Sequence, residues 1–277
     1  MIVLALYLLF LKDTFVSAMD SAINQFPGLS ALIDKNDKDM FANLILLIGI
    51  LGSAMITVTY NCLITLVKDR ENKVDYDILA TPLKRGQIIL SYFVSAAFSS
   101  VILTSIILAV GLATICMHGN INLGAIDILK AFGVVVLGSI SATSIFMIVV
   151  LFLKSVSASG AFFGLLSAVS GFIIGAYIPI SQFSSAVQTV CNIFPASQIT
   201  IILRNILING LLEHMNTSIN GVDQGMFVTS IKELFSFKVR LFDNYFDMNQ
   251  MLVYIVVSIV ICVVVQILVY SKTYKKA

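Results

Sequence analysis

The sequence predicts an all-α polytopic membrane protein with six spans, of which the first is truncated. Of its 277 residues, 58% are hydrophobic and only 12% are charged, whereas soluble domains are about 45–50% apolar and about 25% charged. A soluble fold of this size has no interior large enough to bury that much apolar surface. Two further observations support the class: long apolar segments, and a one-sided distribution of Lys and Arg.

Five apolar segments are long enough to cross a bilayer, which takes roughly 20 residues for about 30 Å of hydrocarbon. They cover residues 43–67, 87–117, 128–153, 161–178 and 251–270. A sixth apolar run, residues 1–11, covers about half of that thickness. Because no positive charges precede it, it does not fit a signal peptide. We interpret it as the second half of a span whose first half is missing from the chain.

The basic residues lie in three stretches that alternate correctly with the spans. These are the loop 68–86, Lys154, and the tail with Lys272, Lys275 and Lys276. Short loops rich in Lys and Arg are cytoplasmic, so the C-terminus is predicted to be inside. Residues 12–42, 118–127 and 179–250 then lie outside. The polar, turn-forming composition of 12–42 predicts a solvated outer loop, and residues 213–250 are predicted to form a second outer loop.

The loop 68–86 combines charges with apolar residues at helical spacing. Val74, Ile78 and Leu79 recur among charged side chains, and Thr81 with Pro82 then breaks the pattern. This predicts a short cytoplasmic helix with one apolar face. An ordinary loop helix resting on the membrane would produce the same pattern, so both interpretations stay open.

Two further helical runs follow the span 161–178 and are separated by Pro195. Each run is too short or too polar to cross alone, and Arg204 would be costly at the centre of a crossing. We favour a re-entrant pair over 179–212 on the outer side, since non-helical backbone at that depth is tolerated inside protein or beside water. The alternative is one seventh crossing, which would move the basic tail outside.

Small and weakly polar residues mark the faces where the predicted helices could approach one another or line a path. Glycine and alanine recur every three or four positions from Gly160 to Gly175, which suits close helix packing. Five mid-span polar residues could line a polar path or simply bond a neighbouring helix: Asn61, Ser139, Ser141, Thr143 and Ser144. For the serine-rich group, which is the last four of these, we favour packing.

The chain offers little chemistry of its own. Its long spans have essentially no mid-span ionisable residues, it lacks a phosphate-binding GxxxxGK[ST] loop, and its Cys and His residues have no metal-ligand spacing. We therefore expect no catalytic residue, metal or cofactor in this chain. A net charge of +2 without a basic stripe also argues against nucleic acid as a partner.

The loop sequence KDRENKVDYDILATPLKRG and the later YIPISQF and FPASQ segments resemble the type-2 permeases of ABC exporters, over nearly the whole chain. The resemblance implies a six-span permease fold and a single permease domain. It implies that the loop is a coupling helix docking on an ATPase subunit, with Arg70 and Glu71 as polar contacts and Ile78 and Leu79 as apolar ones. The full implied set is Asp69, Arg70, Glu71, Lys73, Asp77, Ile78, Leu79, Thr81 and Pro82.

On the outer side, the resemblance implies that the re-entrant pair closes the exit of the path. The residues implied in this gate are Pro179, Gln182, Pro195, Gln198 and Arg204. The implied partners are a cytoplasmic ABC ATPase carrying ATP and Mg²⁺, a second permease subunit in a homodimer or heterodimer, and the lipid bilayer. The implied setting is a plasma membrane of bacterial type.

The chain departs from that family at its start, because such permeases begin with a cytoplasmic amphipathic helix and a complete first span. Three other functions are alternatives to export. A sensor or immunity subunit on the same scaffold would not transport, a secondary carrier would need mid-span ionisable groups, and a bilayer-embedded enzyme would need clustered His, Asp, Glu or Ser. An ATPase encoded next to this chain would favour the exporter or the sensor.

Overall fold

The computed structural model describes residues 12–23, 33–117, 119, 122–219, 225–242 and 244–273. The half-span predicted at 1–11 and the terminal lysines Lys275 and Lys276 lie outside these residues.

The described helices are α1 Lys12–Ile23, α2 Lys35–Glu71, α3 Val74–Leu79, α4 Arg85–Cys116, α5 Ala125–Phe152, α6 Val156–Ile173, α7 Ser185–Ile193, α8 Pro195–Ser218, α9 Met226–Leu234 and α10 Met248–Thr273. A 3₁₀ turn, Ile180–Gln182, precedes α7, and the strands β1 Val239–Leu241 and β2 Asn244–Phe246 form an antiparallel hairpin.

Five of the described helices, α2, α4, α5, α6 and α10, are long and apolar enough to cross a membrane. The pair α7 and α8 passes the same test only jointly, and it bends by 94° at its break. The predicted class, an all-α polytopic membrane protein, is confirmed. The helices extend past the predicted spans because hydropathy marks only the part inside hydrocarbon. At α2, for example, Asp34 caps the first turn by accepting from the Asn36 amide at 3.2 Å.

Two segments predicted as outer loops contain regular structure instead. Residues 12–42 hold α1 and the first two turns of α2, and residues 213–250 hold the end of α8, α9 and the hairpin. In α1 the apolar residues Phe15, Met19 and Ile23 recur every four positions and are buried, which is the spacing of an amphipathic helix. Phe15 and Phe41 both pack edge-on against Phe235, with ring centroids 6.0 and 4.9 Å away. The surrounding polar residues hid this apolar stripe.

The spanning helices run antiparallel, which gives the bundle two distinct ends. At one end α2, α5 and α10 finish while α4 and α6 begin, and we call it the loop end because it carries residues 68–86. The other, the cap end, carries α1, α7, α9 and the hairpin. Because α6 ends there and α10 begins there, the segment between them starts and finishes at the same end of the bundle.

Helix α2 lies at the centre and packs against α4, α5, α6 and α8. Two glycines, one on α2 and one on α5, let α8 approach these two helices closely. A Cβ at Gly52 would overlap Thr200, and a Cβ at Gly138 of α5 would lie 2.9 Å from Ile199 Cγ2. The beginning of α8 therefore reaches the middle of α2 and α5 because these positions carry no side chain. Its later residue His214 lies 4.0 Å from Asp37 at the cap end, so α8 runs from the middle of the bundle towards the cap end.

Candidate functional site

At the loop end, the last turn of α2 bonds to three other spans. The Tyr92 hydroxyl of α4 donates to Asp69 Oδ2 at 2.6 Å. Arg70 Nη1 donates to the carbonyl oxygens of Leu151 and Leu153, at 3.1 and 3.3 Å, where the carbonyls at the carboxyl end of α5 lack helical partners. An arginine there also complements the negative end of the helix dipole.

Glu71 caps the next helix. Its Oε2 accepts from the Val156 amide at 2.7 Å, the first amide of α6, and a carboxylate at a helix amino end is favoured by the dipole. Arg85, at the other end of the loop, donates from Nη1 to the Ser271 carbonyl of α10 at 3.2 Å. The residues flanking the loop thus contact α4, α5, α6 and α10.

In this structure the side chains of Arg70 and Glu71 both form hydrogen bonds within the chain, and their implied contacts with an ATPase stay a prediction. The predicted short helix is present as α3, and it follows Lys73, whose φ is +62°. Ile78 is half-buried and packs against the bundle, and the side chain of Leu79 lies outside the described part of the structure.

Other side chains make up the outward surface of the loop. The apolar ones are Val74, Tyr76 and Leu83, with exposed fractions of 42%, 64% and 54%. Sequence reasoning missed Tyr76 and Leu83, because neither continues the helical spacing of Val74, Ile78 and Leu79. The implied residues that are exposed here are Lys73, Asp77, Thr81 and Pro82. Thr81 also donates to the Ile78 carbonyl at 2.6 Å and so closes the turn after α3.

At the cap end, Arg204 is 3% exposed and joins the ends of two segments. Nη2 donates to the Gly175 carbonyl at 2.8 Å and to the Ile174 carbonyl at 3.3 Å, just past α6. Nη1 donates to the Phe235 carbonyl at 2.9 Å, just past α9, and to the Ser236 carbonyl at 3.4 Å. A guanidinium is planar and carries five donors, which suits it to hold several carbonyls at once. We call this arrangement the Arg204 clamp.

The other implied gate residues divide by burial. Pro195 is the buried first residue of α8, and Gln198 is buried and donates from Nε2 to the Asn192 carbonyl at 2.8 Å. Pro179 is half-buried just before the 3₁₀ turn, while Gln182 is exposed. The buried ones hold the bend between α7 and α8, so their role in the structure is to shape the pair.

The mid-span serine group lies inside the bundle. Ser139, Ser141, Thr143 and Ser144 are all buried, and the Ser139 and Thr104 hydroxyls lie 2.9 Å apart between α5 and α4. Thr143 and Ser144 donate to carbonyls of their own helix. This arrangement agrees with the packing interpretation for these four residues.

Asn61 differs, because it is exposed on α2 and belongs to a longer polar row. Its companions on the same side of α2, three or four positions apart, are Ser53, Thr57, Thr65 and Lys68. Ser53 and Thr57 are half-exposed and the others exposed, and we call the row the α2 polar stripe. Sequence reasoning noted only Asn61, although the four-residue spacing of the hydroxyl residues could have shown the rest.

The surfaces of the neighbouring spans are apolar by contrast. On α4 the exposed side chains include Phe98, Ile106 and Val110, and on α10 they include Val253, Val257 and Val264. Such faces suit lipid. A row of polar groups on lipid is unfavourable, so the α2 polar stripe is suited to water or to another protein surface.

Among the residues described, no group of three or more His, Cys, Asp or Glu side chains is placed to hold a metal ion. A comparison with curated proteins found no match. The family model for ABC-2 family transporter proteins matches residues 13–270, which is nearly the whole chain and includes both the loop end and the cap end. The chain therefore belongs to the ABC-2 family of transporter proteins, as a membrane-spanning subunit of an ABC transporter.

Proposed function

We propose that this chain is the permease of an ATP-driven exporter and moves substrate outward from the cytoplasm or the inner leaflet. The loop end faces the cytoplasm and docks on a separate ATPase subunit, which holds ATP and Mg²⁺. The cap end faces outward. A second permease subunit, identical or related, completes the path.

The observation that carries this proposal is the set of contacts around the loop. Asp69, Arg70 and Glu71 bond to α4, α5 and α6, and Arg85 bonds to α10. A displacement of the loop by an ATPase would therefore act on four spans together, since each is held at its end by a charged group. This suits a two-state coupling between a distant ATP site and the path.

The docking surface in this proposal is the outward face of the loop. Val74, Tyr76 and Leu83 expose apolar surface beside the charged Lys73 and Asp77. An apolar centre with a polar rim is common in protein interfaces. Tyr76 is the anchor we propose, because tyrosine contributes large contact area with few rotatable bonds.

The path in this proposal runs along the α2 polar stripe, between two copies of the permease. Helix α6 offers a matching surface: added Cβ atoms at Gly160 and Gly164 would meet no atom within 4 Å, so this side of α6 is open. Small residues allow close helix approach in lipid. A second subunit facing α2 and α6 would shield the polar stripe from lipid and leave room for substrate between the helices.

The test is to purify the full chain with a candidate ABC ATPase subunit, and to measure complex formation, ATP hydrolysis and transport in proteoliposomes. Tyr76→Ala should abolish or strongly weaken copurification. Leu129→Ala, which truncates a 73% exposed apolar side chain at the cap end, is the matched control and should leave copurification intact.

Glu71→Lys separates docking from coupling. The variant should still copurify with the ATPase, yet transport per ATP hydrolysed should fall, because a cation would replace the carboxylate at the amino end of α6. Glu213→Lys, an exposed site at the cap end, is the control. Unchanged transport in Glu71→Lys would contradict the coupling role. A complex that hydrolyses ATP but moves no drug, peptide or lipid would instead identify a sensor or immunity subunit.

A further inference from the structure

The cap contains a cavity of about 680 Å³ between α7, α8, α9 and the hairpin. This volume lies within the range of small-molecule sites, about 300–1,000 Å³. Neither the coupling contacts nor the α2 polar stripe includes its residues, so the cavity needs an explanation of its own.

Three side-chain amides fix the walls of this cavity. Asn192 Nδ2 donates to the Arg240 carbonyl at 2.9 Å, and Asn205 Nδ2 donates to the Phe237 carbonyl at 2.8 Å. Gln188 Nε2 donates to the Phe183 carbonyl at 2.8 Å. The Asn192 and Asn205 bonds tie α7 and α8 to the hairpin strand β1 and to the backbone just before it. The Gln188 bond joins α7 to the segment that precedes it, so the cavity is bounded by hydrogen-bonded segments on several sides.

The ionisable lining of the cavity is mainly cationic. Among the described lining residues, Lys232, Lys238 and Arg240 are basic and Glu233 is acidic. Lys232 and Lys238 form no ion pair with any residue of the described ranges. Several cations around a partly enclosed volume raise the local concentration of anions.

The position of α7 places this cavity beside the membrane boundary. The polar residues Gln188 and Asn192 of α7 line the cavity, whereas Val187 and Val190 are exposed elsewhere on the helix. The Tyr254 hydroxyl, near the start of the span α10, donates to the Ile193 carbonyl at 2.8 Å. An amphipathic helix at the end of a span suits the interface between lipid and water.

We propose that this cavity binds the phosphate group of an anionic ligand at the cap end of the membrane. Lys232, Lys238 and Arg240 supply the positive charge. A phosphate carries several acceptor oxygens and pairs well with such donors. The ligand is either the headgroup of an anionic lipid or a free phosphate, and the experiment below separates the two. This site goes beyond export and does not depend on it.

Occupancy of the site should also stabilise the cap. Ser236 lines the cavity, and its carbonyl, with that of Phe235, accepts from Arg204 in the clamp that also holds the end of α6. A ligand held against this wall favours the clamped arrangement, because any ligand that binds only the folded state raises stability.

The experiment uses the full chain in a non-ionic detergent and measures binding by titration calorimetry, together with the midpoint of thermal unfolding. The probes are dihexanoyl phosphatidylglycerol, the zwitterionic dihexanoyl phosphatidylcholine, and inorganic phosphate. The anionic lipid should bind about tenfold more tightly than the zwitterionic one and should raise the unfolding midpoint. Binding by inorganic phosphate with equal affinity identifies a free-anion site, while a requirement for the acyl chains identifies a lipid site.

Charge variants test the residues. Lys232→Gln and Lys238→Gln should each weaken anion binding about threefold to tenfold, whereas Lys154→Gln, an exposed lysine at the loop end, should leave it unchanged. Glu233→Gln should tighten binding, because it removes a negative charge from the described lining. This variant keeps the test decisive if a lysine variant fails to fold. The proposal is overturned if no probe binds, if neither lysine matters, or if Glu233→Gln weakens binding.

Discussion

The Arg204 clamp leads to a prediction about stability. In Arg204→Gln the side chain loses its charge and is too short to reach both the Gly175 and Phe235 carbonyls, which accept at 2.8 and 2.9 Å. The residue is 3% exposed, so water cannot freely replace the lost donors. Arg204→Lys keeps the charge, but a single ammonium group cannot span the ends of two segments.

The size of the effect follows from the orphaned carbonyls. Each buried acceptor left without a partner costs about 1–3 kcal/mol, so two short bonds predict a loss of about 3–5 kcal/mol for Arg204→Gln once local rearrangement is allowed. For a chain of this size, 1 kcal/mol corresponds to roughly 2–4 °C in the unfolding midpoint. We expect a fall of about 6–20 °C in Arg204→Gln and about half of that in Arg204→Lys.

The assay is thermal unfolding of the purified variants in one detergent at fixed protein concentration. Lys130→Gln is the control. Lys130 is an exposed residue at the cap end and forms a surface ion pair with Asp127 at 3.0 Å, and such pairs contribute about 0–1 kcal/mol. A fall of less than about 2 °C in Arg204→Gln, or an Arg204→Lys variant as stable as the parent, would refute the clamp.

Three further predictions concern the spans. Asn61→Leu should lower transport about threefold or more, since it places an apolar side chain in the middle of the α2 polar stripe. Transport rates equal to those of the parent in vesicles would contradict a path there. Gln266→Leu should raise the free energy of unfolding by about 1–2 kcal/mol. Gln266 is fully buried in α10, and neither its Nε2 nor its Oε1 forms a hydrogen bond with any part of the described chain. A lower unfolding midpoint would count against this. Gly138→Val should destabilise by about 1–3 kcal/mol through overlap with Ile199, whereas Gly133→Ala on the same helix meets open space and should be neutral or slightly stabilising.

The spans were predictable because their signal is local. Hydropathy alone located the five helices that are long and apolar enough to cross, and Pro195 marked the break between α7 and α8. The helix at residues 12–23 was not predicted in the same way, because its Phe15 packs against Phe235, which lies more than two hundred positions away in the sequence. The hairpin was missed for a similar reason: strands of three residues leave too short a pattern to recognise.

The site was predictable in position but not in detail. The loop 68–86 was found from its charges and its helical spacing, yet the partners of Arg70 and Glu71 lie on α5 and α6, and no spacing within the loop reveals them. The resemblance implied Ile78 as an apolar contact with the ATPase. In the structure Ile78 is half-buried against the bundle, and spacing within the loop does not reveal such contacts with other helices.

The continuity of α2 has a mechanical consequence. The helix has 37 residues without a break, so at 1.5 Å per residue it is a rod about 55 Å long. Its last turn carries Arg70 and Glu71, and its first turns support the cap. A rod of that length that pivots by about 5° at one end moves the other end by about 5 Å. A small tilt of α2 imposed at the loop end would therefore displace its cap end by about 5 Å, without any change in the helix itself.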